Sequence, residues 1–213
     1  MIKLMAWQTE LTRQRLLDAA VQEFAEFGGA GCRVDRIAKR AGISKERLYG
    51  YFGDKEALFT QVLRQELARL AAAVPLSDEQ ARDLGEYAGR VLRHHREHPA
   101  LLRLLYWEGL ERGGEAVVDE LGRAGYYEEK VAAVARAQRD GYLTASISAA
   151  ELMYAVIALA GWWAAAPQVC RILTGAVTPP GGRGDAAVPG EEAVVAMVRR
   201  MSVPDHGAGA VGR

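Results

Sequence analysis

Apolar residues recur along this chain at helical spacing. Leu16, Leu17, Ala20, Val21, Phe24 and Ala25 form one wide apolar face and predict a first amphipathic helix, stopped by Gly28, Gly29 and Gly31. Val34, Ile37, Ala38 and Ala41 predict a second, short helix, with Gly42 in the usual C-terminal glycine position. Ser44 is a good N-cap for a third helix, and Ile43 and Leu48 stand at the two positions of a hydrophobic staple. Leu48 and Phe52 give that helix its inward face. Gly53 and Asp54 break it, and Asp54 can cap a fourth helix carried by Leu58, Phe59, Val62, Leu63, Leu67 and Leu70 as far as Pro75.

The same period continues to the C-terminal end. Ser77 can cap a helix reaching about His98, and Pro99 suits the first turn of the next, which holds Leu101, Leu102, Leu104, Leu105, Tyr106 and Trp107. Gly113 and Gly114 separate it from a long helix ending near Gly141. An apolar helix follows over about 148–166, then a Gly/Pro-rich loop over 175–190, then a last helix over 191–201 with apolar Val194, Val195 and Val198. No convincing strand pattern appears, so the expected fold is all-α. The expected division is an N-terminal three-helix domain (1–54) with a helix-turn-helix at about 33–52, a connecting helix (55–74), a helical domain (75–201) and a disordered tail (202–213).

Charge changes this picture locally. The 213 residues carry 27 basic and 27 acidic side chains, so the whole chain has no basic bias. Between residues 33 and 55, however, Arg33, Arg36, Lys39, Arg40, Lys45, Arg47 and Lys55 face only Asp35, Glu46 and Asp54, a local excess of four positive charges. Such an excess is what phosphate binding needs, although a solvated helix surface looks the same. The run 152–166 is shorter than the roughly 20 residues a membrane span requires, and no secretory signal precedes it. With Cys32 and Cys170 far apart and matching no metal spacing, a reducing cytoplasm, no disulfide and no metal are expected.

Helical geometry assigns roles within the third helix. With Leu48 and Phe52 inward, Glu46 and Gly50 fall on the opposite side, flanked by Arg47 and Tyr49. Arg47 can bond a guanine edge; Glu46 either accepts from cytosine N4 or simply faces solvent. Ser44 and Lys45 sit at the positive end of the helix, suited to phosphate.

The ordering of the block is more specific than its charge. LLDAAVQEFAEFG followed by VDRIAKRAGISKERLYGYFGDKEALF resembles the DNA-binding region of the tetracycline-repressor (TetR) family over about 12–62. The pattern I-A-x-x-A-G-[IV]-S-x-x-x-L-Y-x-[YH]-F-x-x-K-E-x-L is matched at every fixed position. The resemblance implies a homodimeric transcription regulator, usually a repressor, released from a palindromic double-stranded DNA operator by a small ligand. Tyr49, Tyr51 and Lys55 match family positions that touch the sugar-phosphate backbone, although Tyr51 can instead be partly packed. Three positions depart from the family: Cys32 stands where threonine is usual, Arg47 where a small residue or threonine is common, and Gly50 where an aromatic residue or histidine is common. The DNA-binding candidates are therefore Arg33, Ser44, Lys45, Glu46, Arg47, Tyr49, Gly50, Tyr51 and Lys55.

The resemblance also places dimerisation and an effector pocket after about residue 74. Tyr106, Trp107, Tyr126, Tyr127, Tyr142, Tyr154, Trp162 and Trp163 are either the lining of a cavity for an apolar or aromatic effector, or ordinary core and interface residues. The helices 148–166 and 191–201 are candidates for an intersubunit four-helix arrangement. His94 and His98 have the i, i+4 spacing of a metal clamp, but neighbouring Arg90, Arg93, Arg96 and Arg103 favour an exposed basic helix end. No nucleophile elbow, phosphate loop, dinucleotide fingerprint or zinc-hydrolase helix is present, so no cofactor and no enzyme activity are expected. A helical ligand-binding or protein-docking module that has lost specific DNA binding is the competing reading.

Overall fold

The computed structural model describes residues 2–113, 117, 119–175 and 190–204. Ten α-helices appear among them: α1 (Ile2–Gly31), α2 (Val34–Ala41), α3 (Lys45–Phe52), α4 (Lys55–Ala73), α5 (Leu84–Glu97), α6 (Ala100–Arg112), α7 (Glu120–Arg139), α8 (Ala149–Ala165), α9 (Pro167–Leu173) and α10 (Glu191–Met201). The fold is all-α. No single described helix is long and apolar enough to cross a membrane.

The chain divides into two compact units: Met1–Leu70 with Ala100–Arg123, and Ala71–Pro99 with Ala124–Arg213. In the first, the apolar faces of α1 to α4 close on one core. Leu16, Phe24, Ile37, Leu48, Leu58 and Val62 are fully buried, and the Phe24 and Phe59 rings meet edge to face at 5.1 Å. Leu101 and Leu104 join the same core from α6, which packs along α1. The sequence pattern instead places α6 in the C-terminal helical region of 75–201.

In the second unit α5 packs against α8 and α10. Gly85 and Gly89 let α10 approach: a Cβ on Gly85 would stand 2.5 Å from Arg199 Cγ and 2.7 Å from the Val195 carbonyl oxygen. Val194 and Val198 are buried on the inner face of α10, and the Asp83–Arg199 and Arg93–Glu191 ion pairs flank the contact.

Several boundaries differ from expectation. The glycines after Phe27 do not stop α1 but break it: Gly28 takes φ 69°, ψ −176°, and the helix continues to Gly31. The helix expected from Ser77 to His98 is two elements. Ser77 Oγ accepts from the Gln80 N–H at 3.3 Å at the start of a 3-10 turn, Gln80–Arg82, and Asp83 then caps α5 by accepting from the Glu86 N–H at 3.1 Å. The short α9 was not anticipated; Pro167 at its first turn is its one sequence signal. Ser202, placed in a disordered tail, is buried, and its carbonyl accepts from the Thr144 N–H at 3.1 Å. His95, between His94 and His98 in the stretch expected to be an exposed basic helix end, is buried. Most of the 175–190 loop and the tail beyond residue 204 lie outside the described residues.

Candidate nucleic-acid interface

The helix-turn-helix is built by three local devices. The Gly42 N–H, in left-handed conformation at φ 68°, bonds back to α2. Ser44 Oγ then accepts from the Arg47 N–H at 3.3 Å and starts α3. After Phe52, Asp54 Oδ1 accepts from the Ala57 N–H at 2.7 Å and starts α4.

Leu48 and Phe52 are buried, which leaves Glu46, Arg47, Tyr49 and Gly50 exposed on the outer face of α3. Gly50 has no atom within 4 Å of where a Cβ would stand. Tyr51 is half-buried against the core, and its hydroxyl accepts from Arg47 Nη2 at 3.4 Å. Arg33 is exposed at the N-cap of α2.

The basic residues are not equivalent. Arg36 turns inward: Nε donates to Glu23 Oε1 at 2.6 Å, Nη2 donates to the Gly31 carbonyl at 2.9 Å, and its guanidinium lies 4.2 Å from the Phe27 ring centroid. Lys45 pairs with Asp35 at 3.0 Å, and that bond holds its ammonium above its ordinary range. Lys55, at the first position of α4, donates to the Gly29 carbonyl at 2.8 Å. Arg33, Lys39, Arg40 and Arg47 point to the surface.

Glu23 is a buried anchor that is not among the residues singled out from the sequence pattern. It is fully buried and accepts both from Arg36 and from the Arg33 N–H at 3.0 Å, an orphan donor at the start of α2. One signal was available: Glu23 lies seven residues after Leu16 and three after Ala20, in line with the apolar face. Beside it, burial and then the Glu23 charge push the Cys32 thiol up to about 12. A buried thiol in that state is a packing residue.

The aromatic candidates fall in both units. Tyr106 and Trp107 belong to the first unit; Tyr126, Tyr127, Tyr142, Tyr154, Trp162 and Trp163 belong to the second. Tyr154 and Trp162 are 76% and 54% exposed, and Trp107 spends its indole N–H on the Ala25 carbonyl at 3.3 Å. A cavity of about 410 Å³ in the first unit is lined by Phe24, Phe59 and charged Lys55, Glu56, Glu108, Glu111 and Arg112, with none of these aromatic candidates.

Residues 16–62 match the model described as "Bacterial regulatory proteins, tetR family", and 83–200 match "Tetracyclin repressor-like, C-terminal domain". The chain belongs to the TetR family. It is similar to the HTH-type transcriptional repressor SCO4008 of Streptomyces coelicolor, at 39% identity over 90% of this chain and 95% of that protein. It is also similar to the HTH-type transcriptional regulator RutR of Escherichia coli, at 35% identity over 77% of this chain and 79% of that protein. Among solved structures, the putative transcriptional regulator SCO4942 of Streptomyces coelicolor superposes with a TM-score of 0.72 at 34% identity, covering 91% of this chain and 99% of that one. Membership makes this chain a ligand-responsive, DNA-binding transcription regulator of the helix-turn-helix type.

Proposed function

We propose that this TetR-family chain is a homodimeric repressor that reads a palindromic operator through α3 and leaves it on binding a small apolar or aromatic effector. The observation that carries the DNA part is the outer face of α3, where Glu46, Arg47, Tyr49 and Gly50 are exposed while Leu48 and Phe52 are buried. An exposed recognition helix of this kind enters the major groove, and a two-fold dimer places two such helices on successive half-sites. Arg47 reads a base edge; Ser44, Lys45, Tyr49, Tyr51 and Lys55 meet the backbone. The Lys55 ammonium has three N–H donors and gives one to Gly29, so two serve a phosphate. Arg33 adds charge beside them.

The repressor assignment draws support from SCO4008, whose name describes it as a transcriptional repressor. The outward faces of α8 and α10 are the proposed dimer surface: Tyr154, Ala158 and Trp162 recur at i, i+4, i+8 on α8, and Met197 is exposed on α10. The effector class rests on the aromatic content of the second unit.

Selection of bound oligonucleotides by the purified protein tests the reading. An enriched palindrome is expected. On that DNA, Arg47→Ala should relax preference at one base pair by about 1–3 kcal/mol. Lys55→Ala should weaken binding across sequences and flatten the salt slope by about one unit. The reverse pattern would sink these roles, and no enrichment at any salt would sink the DNA reading.

A further inference from the structure

Arg103, Trp107 and Glu111 occur at i, i+4, i+8 and so share one face of α6. That face meets the break in α1 on both sides. Before the break, the Ala25 carbonyl accepts from Arg103 Nε at 2.5 Å and from Trp107 Nε1 at 3.3 Å. After it, the Ala30 N–H donates to Glu111 Oε1 at 2.9 Å. Carbonyls in the last turn of a helix and N–H groups in the first turn of the next lack intrahelical partners, and α6 supplies both kinds.

Glycine makes the approach possible. A Cβ on Gly28 would stand 2.6 Å from Glu111 Oε1 and 2.8 Å from the Trp107 ring, and one on Gly29 would collide with Glu111 Oε2. The short turn 29–31 is held from two further directions. Lys55 Nζ donates to the Gly29 carbonyl at 2.8 Å, and Arg36 Nη2 donates to the Gly31 carbonyl at 2.9 Å. Lys55 begins α4 immediately after α3, and Arg36 lies in α2. One turn, continuous with α1, is thus bonded to α2, to the helix after α3, and to α6.

We propose that Glu111, with Trp107 and Arg103, positions the DNA-reading helices by latching this turn, an inference that rests on the DNA-binding reading above. These are positioning residues that act through the turn and touch no DNA. With the latch intact, α2 and α3 are held in one orientation. Without it they sample several, and the apparent Kd for DNA rises by the inverse of the competent fraction.

The Gly29 backbone is not in the left-handed region, so alanine there is compatible with the helix and on propensity alone should stabilise it. Its Cβ must displace the Glu111 carboxylate. The test compares wild type, Gly29→Ala, Glu111→Ala, Glu111→Gln and the Gly29→Ala/Glu111→Ala double variant. It measures Kd by fluorescence anisotropy on DNA selected by the wild type, together with Tm. Gly29→Ala and Glu111→Ala should each raise Kd roughly three- to tenfold, the scale of one net hydrogen bond, with Tm nearly unchanged. Glu111→Gln should keep near wild-type affinity, because its amide oxygen still accepts from Ala30. The double variant should be no worse than either single one, since both remove the same contact. Unchanged Kd in Gly29→Ala, or fully additive losses in the double variant, would overturn the latch. Hydrogen exchange of the 29–36 amides reads it without DNA: faster exchange in Glu111→Ala is expected, and unchanged exchange would overturn it. A wild type that selects no DNA overturns the DNA-binding reading instead, and the exchange result still decides whether Glu111 holds the turn.

Discussion

Gly50 shows what a single missing side chain does on α3. It is exposed, on the side opposite Leu48 and Phe52, and a Cβ there would enter open space. Packing therefore does not require glycine. Gly50→Ala is expected to raise stability by about 0.5–1 kcal/mol, the helix-propensity difference, seen as a higher Tm. If the backbone at Gly50 approaches a base edge, the same variant changes the selected DNA sequence. At this scale the sequence was legible where a residue acts on its immediate neighbours: Ser44 and Asp54 cap as their spacing implies, and Leu48 and Phe52 point inward. It was opaque where partners come from elsewhere. Arg36, counted among surface charges, turns toward Glu23, thirteen residues earlier. A charge sum cannot register that a guanidinium has found a buried carboxylate.

Helix α5 shows two rules in conflict within one element. His94, His95 and Arg96 lie in its last turn, where positive charge is favoured by about 0.3–1 kcal/mol. Burial opposes charge on His95 and wins: desolvation, then the neighbouring His94, brings its pKa down to about 4. The unfolded imidazole titrates near 6.5, so between that pH and 4 the unfolded chain binds the extra proton. The stability contributed by neutral His95 is complete above about pH 6.5 and is lost as pH falls through 4. His95→Leu should flatten the acid side of the Tm–pH curve relative to wild type, by up to about 3 kcal/mol at the acid end. An unchanged acid limb would show that His95 does not set it. Element existence was legible from the apolar period, but the Asp83 split and α9 were not. A competing cap or one extra turn leaves the period almost unaltered.

For the whole molecule the question is what covers α8. Its inner face, Leu152, Met153, Val156 and Ala160, is buried within the chain, while Tyr154 and Trp162 face outward. An apolar helix with two such faces suits a second copy of the same chain. Trp162→Arg is expected to shift sedimentation from dimer toward monomer. It should also weaken binding to a two-half-site DNA by at least about tenfold, since linked half-sites gain from effective concentration. A variant that stays dimeric would remove α8 from the interface. The helix-turn-helix was legible because its sequence must meet one fixed backbone geometry. An effector site is harder to read, because a cavity depends on how distant helices close, which the spacing of apolar positions along one helix does not record.

The buried thiol at the joint between α1 and α2 has a kinetic meaning. Burial, and then the Glu23 charge, push the Cys32 thiol up to about 12, so it stays protonated at pH 7 while folded. Alkylating or oxidising agents therefore reach it almost entirely through moments when the joint has opened. Its reaction rate is a clock for that opening, carried by the protein without any added probe.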